Sequence, residues 1–96
     1  MSLFEQFKEY VQQDKPVTLA TVVRGPDQLL GRKAVIPTEG EPAGPLLETQ
    51  WSAPVLADAY ELMQRRSSET RRYTSPSSGE IEVFFEVHRP APRLMP

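Results

Sequence analysis

The sequence predicts an α+β domain: two helices packed on one face of a small mixed or mainly antiparallel sheet of about five strands. Three observations carry this expectation. Two segments repeat apolar residues at helical spacing, five shorter runs have strand character, and the order along the chain is helix, three strands, helix, two strands. Ninety-six residues is the size of one such unit, so the chain reads as a single domain over 1–96 with an extended proline-rich exit over 89–96.

Leu3, Phe4, Phe7, Tyr10 and Val11 fall on one face of a helix over roughly residues 3–13. Ser2 and Glu5 have capping-box spacing at its start, and Pro16 ends it by pushing the preceding residue out of the α region. Val17-Thr18-Leu19-Ala20-Thr21-Val22-Val23 is β-branched and nearly apolar on both faces, which predicts a central strand covered on at least one side. A short strand follows at Lys33 to Ile36, and a less regular one at Ala43 to Gln50. Ser52-Ala53-Pro54 opens a second helix with Ser52 as its cap, and Val55, Leu56, Ala59, Leu62 and Met63 form its inner stripe. Glu69 to Thr74 and Glu80 to His88 read as strands joined by a hairpin loop over 75–79. In the second of them Ile81, Val83, Phe85 and Val87 share one face against Glu80, Glu82, Glu86 and His88 on the other, so one of its faces is wet.

Eleven cations against thirteen anions leave a net charge of −2, and there is no cysteine. The second fact removes disulfides, thiolate metal sites and cysteine nucleophiles, and suits a reducing, cytoplasmic setting. No apolar run approaches the ~18 residues of a membrane span. Arg65, Arg66, Arg71, Arg72, Arg89 and Arg93 crowd the C-terminal third, but acidic neighbours answer them. Arg72 falls opposite Glu82 across the predicted hairpin, and Glu61 sits one helical turn before Arg65. Without a broad positive field, nucleic acid is not an expected partner. His88 stands alone and predicts neither a metal site nor a general base. Glu39, Glu41 and Glu48 lack calcium-loop spacing. No nucleophile–base pair or paired carboxylates appear, so the chain is not expected to be an enzyme.

Two features remain. Gly31-Arg32-Lys33 sets two cations beside a flexible residue, the raw material of an anion site. Trp51, with Leu46 and Leu47, reads as core. A domain this small often leaves part of its sheet for a partner copy to cover, which makes a homodimer the expected assembly.

Pro16-Val17-Thr18-Leu19-Ala20-Thr21-Val22-Val23 resembles the opening strand of the XdhC/CoxI family. The stretch from Gly25 to Val35 is similar in outline to that family's next segment, with Gly25, Gly31 and Lys33 kept. Glu39 to Gly44 resembles its acidic-glycine turn, and Leu47-Glu48 the end of its G-G-G-C-L-E signature. Ile81 to Val87 and Pro90-Ala91-Pro92-Arg93-Leu94 look like its last strand and the exit toward a Rossmann-like second domain. The resemblance spans roughly residues 3–95. It implies a non-catalytic accessory factor that binds the molybdenum pterin cofactor, molybdopterin, and passes it to a molybdenum hydroxylase of xanthine dehydrogenase type. Such factors are commonly homodimers. The implied cofactor-binding residues are Arg24, Gly25, Gly31, Arg32 and Lys33, with Gly44 and Glu48 lining the same edge.

The departures predict a weakened site. Gly44-Pro45-Leu46 replaces the triple glycine and cysteine, and Ser75-Pro76-Ser77-Ser78-Gly79 replaces a later glycine- and cysteine-rich stretch. A pyrophosphate needs free backbone N–H groups at close approach, whereas Pro45 has none to offer and Leu46 adds bulk. The alternative expectation is therefore a cofactor-free interaction or dimerisation module that keeps only the fold.

Overall fold

The computed structural model describes residues 2–75 and 79–88. Helix α1 spans Leu3–Gln12, strand β1 Val17–Arg24 and β2 Lys33–Pro37. A single 3-10 turn at Pro45–Glu48 precedes helix α2, Ser52–Arg65, and strands β3, Glu69–Ser75, and β4, Gly79–His88, complete the order. The four strands form one fully antiparallel sheet in the order β2-β1-β4-β3. The proline-rich exit and most of the 75–79 loop lie outside the described residues.

β1 is the middle of the structure because its residues are apolar on both faces. Val17 and Leu19 point to one side with Val35 of β2, and Ala20 and Val22 to the other with Ala34 and Ile36. The helices consequently sit on opposite faces of the sheet, not on one. α1 lays Phe7 over Val17, Leu19 and Val35, with Leu3, Tyr10 and Val11 around the margin. α2 covers the larger cluster through Val55, Ala59, Leu62 and Met63, which meet Ile81, Val83 and Phe85 of β4. Trp51 and Leu46 close that cluster, as a core role for the tryptophan requires.

The expected fifth strand, Ala43 to Gln50, is not formed. Only Ala43 bridges Val35, exchanging both N–H···O bonds with it. Gly44, at φ +132°, and Pro45, which has no N–H, then turn the chain into the 3-10 turn. Ser2 does cap α1, accepting from the Glu5 N–H at 3.1 Å. Ser52 does not cap α2: the cap position is Trp51, whose N–H donates to Thr49 Oγ1 at 3.2 Å. α1 ends as expected before Pro16, through a left-handed Asp14 at φ +61°. Between Val22 and Arg24 a β-bulge breaks the β1–β4 register. Among the described residues no helix is long and apolar enough to cross a membrane.

Two substitutions test this layering in urea titrations. Phe85→Ala, in the α2 cluster, is expected to cost about 3–5 kcal/mol, whereas Phe84→Ala on the opposite, open face should cost under about 1 kcal/mol. Thr18 is fully buried and its hydroxyl has no hydrogen-bond partner. Thr18→Val is expected to raise stability by about 1 kcal/mol, because it removes an unmatched polar atom at nearly constant volume.

Candidate functional site

Five of the seven residues expected to bind an anion gather at one end of the β1–β2 hairpin. The Val22 N–H donates to Arg32 O and the Gly31 N–H to Val22 O, so 31–32 continue β2 alongside the bulged end of β1 where Arg24 and Gly25 lie. Gly44 joins them from across β2, packed against Lys33 and Ala34. Glu48 does not: it is exposed on the 3-10 turn, whose Leu46 belongs to the α2 cluster.

Proximity does not make these residues an anion cradle. The Gly31 N–H is already committed to Val22 O. Gly44 is required by packing, since a Cβ there would come within 2.8 Å of Ala34 Cα. Gly25 (φ +148°) is similarly tight, with Ile81 Cγ2 2.8 Å from where its Cβ would be. Arg24 pairs with Glu82 at 3.5 Å. Arg32 folds back so that its Nε donates to Gln28 O at 3.1 Å, and Lys33 Nζ donates to Thr21 Oγ1 at 3.4 Å. As placed, the set does not fit a pyrophosphate-bearing pterin, because the Gly31 N–H is spent on β1 and Arg24, Arg32 and Lys33 turn to separate partners, so its donors do not converge. The remaining resource is charge: Arg32 and Lys33 have no carboxylate partner among the described residues. A polar cleft of about 380 Å³ lies elsewhere, lined by Gln6, Glu9, Tyr10, Gln13, Lys15 and Glu39, and none of the seven contributes to it.

The sheet presents two further features. α1 covers only the β2–β1 half of its face. The other half shows Thr21, Phe84, Thr70, Glu82, Arg72 and Glu80 in neighbouring register positions, and Phe84 is the large apolar residue exposed among them. Arg72 stands opposite Glu82, as the hairpin pattern predicts, yet its ion pair goes diagonally to Glu80 at 3.0 Å because Glu82 is engaged by Arg24. His88 is less exposed than the alternation suggests. Its Nε2 is buried without a hydrogen bond, 4.0 Å from the Asp14 carboxylate.

On the opposite face a polar clamp joins α2 to β3. The Tyr73 hydroxyl donates to Asp58 Oδ2, and Arg71 reaches Asp58, Glu61 and Glu69 at 3.4–3.7 Å. Glu61 also holds Arg65 at 3.2 Å, the expected one-turn pair. Residues one turn apart on a helix (58, 61) facing residues two apart on a strand (71, 73) are a legible signal that sequence reasoning left unused. Burial chiefly, then the bond to Asp58 and the charge of that carboxylate, push the Tyr73 phenol well above its ordinary range. Burial works to lower the Arg71 pKa, but Asp58, Glu61 and Glu69 together raise it. The phenol donating to Asp58 and the guanidinium matched by three carboxylates tie α2 to β3. No group of three or more metal-ligating side chains occurs among the described residues. No family model matches the chain, and no curated protein matches it.

A raised phenol pKa stabilises the fold below the unfolded value of ~10 and the contribution is lost as pH rises beyond it. Chemical denaturation at a series of pH values should therefore show stability falling above pH ~10, with the fall diminished in Tyr73→Phe. An unchanged alkaline slope in that variant would remove the clamp from the account.

Proposed function

We propose that this chain is a non-catalytic accessory domain of the XdhC/CoxI type that acts through protein contacts, on a molybdenum hydroxylase of xanthine dehydrogenase class, with weakened hold on the molybdenum pterin cofactor. The setting proposed is cytoplasmic and the assembly a homodimer. The segments that resemble the family support the accessory reading: Val17 to Val23 is the central strand, Gly25 to Val35 the hairpin beside it, and Ile81 to Val87 the strand on its other side. The observation that carries the emphasis on contacts is the use made of the glycines. Gly25 and Gly44 accommodate neighbouring atoms at close range and Gly31 bonds to β1, so the positions a pterin pyrophosphate would need serve the scaffold. The same observation favours a second reading, a cofactor-free interaction module that keeps only the fold, with the half-open sheet face as its contact surface.

Thermal unfolding in the presence of molybdopterin, or of a nucleoside diphosphate as surrogate, separates these readings. A ligand at 100 times its dissociation constant adds ~2.7 kcal/mol to stability. Weakened binding predicts a small shift at millimolar ligand that Lys33→Glu abolishes. No shift would leave the cofactor-free module, and a full shift at micromolar ligand would restore a competent cofactor site. Co-sedimentation with a purified xanthine dehydrogenase-type enzyme tests the accessory role directly.

A further inference from the structure

The two edges of the sheet are unlike. The outer edge of β2 is closed where Val35 and Ala43 exchange their backbone bonds. Beyond β3, by contrast, no described strand or loop pairs: among the described residues its only sheet partner is β4, and no other backbone hydrogen bond is made by Glu69 to Thr74. Every second residue of this edge thus turns its N–H and C=O outward, a template for one more strand. There is no proline within it, and its threonines and tyrosine favour extended backbone.

We infer that the β3 edge pairs with the β3 edge of a second copy, antiparallel about a two-fold axis through Thr70, to make a continuous eight-stranded sheet. The register follows from charge. An isologous antiparallel pair keeps the two faces of the sheet distinct, so its axis passes through a residue and not between two. An axis at Arg71 or at Arg72 sets that arginine against its own copy, and one at Glu69 does the same for the glutamate. An axis at Tyr73 brings neutral residues opposite the arginines. Only the axis at Thr70 sets opposite charges together: Glu69 of each copy faces Arg71 of the other on the α2 side. On the open side Thr70 meets Thr70, and the two strands overlap over Glu69 to Arg71. Glu69 and Arg71 are already 3.5 Å apart within one chain, so the pairing yields an alternating ring of four charges across the axis. The inference rests on the homodimer proposed above and names the surface that makes it.

Sedimentation of the full chain over a concentration series, with amide hydrogen exchange of β3, tests this. The native protein is expected to dimerise, and slow exchange of the outward β3 amides should appear only at concentrations where it does so. Thr70 is exposed and has no side-chain partner, so Thr70→Arg should keep the monomer fold while raising the dimer dissociation constant at least about tenfold. Glu69→Lys should do likewise by facing Arg71 of the other copy. Leu30→Ala, exposed in the connection between β1 and β2, should leave the dimer unchanged. A dimer that persists in Thr70→Arg and Glu69→Lys, or that dissociates in Leu30→Ala, would overturn the edge while leaving the homodimer standing. A native protein that stays monomeric throughout would overturn the homodimer itself.

Discussion

A strand that is apolar on both faces must be covered on both, and that requirement organises this molecule. Val17 to Ala20 is fully or almost fully buried, and β1 is hydrogen-bonded along both edges, to β2 and to β4. One helix cannot cover two sides of a sheet, so α1 and α2 divide them. The glycines beside the strand follow from the same crowding. Where β1 ends at its bulge, Gly25 passes close to Ile81, and where the chain returns beside β2, Gly44 passes close to Ala34.

Much of the fold was legible because it is local. Alternation marks β4 despite Phe84, helical spacing marks α1 and α2, and the pairing that puts Arg72 opposite Glu82 follows from a period of two. Three things were not. Which face each helix takes depends on the path of its connection, and both inner stripes look alike in sequence. The segment 43–50 has the hydrophobicity of a strand, but Pro45 lacks the donor a ladder needs and only Ala43 pairs. The third concerns the candidate site. Gly25, Gly31 and Gly44 read as loose, donor-rich positions, yet what decides their role is Ile81, Val22 and Ala34, neighbours that spacing does not reveal.

The charges tell a similar story of local matching. Six arginines in the C-terminal third suggest a footprint for phosphate, but Arg65 and Arg71 are bound into an acidic cluster on α2 and β3, and Arg72 is held by Glu80. Among the described residues, what the fold leaves unmatched is mainly the backbone along one strand, the charges of Arg32 and Lys33, and the exposed Phe84. Those are groups that a protein partner is able to satisfy.

The division of the two faces is unequal. α2 is anchored by a thirteen-residue cluster and tied down again by the Tyr73–Asp58 bond, while α1 rests on four buried residues, only one of them its own. The first helix therefore has the least to lose by lifting away, and its departure would leave the larger core intact. Such a release would bare Val17, Leu19 and Val35 at once, so the grip of one short amphipathic segment sets how much of the smaller cluster meets water.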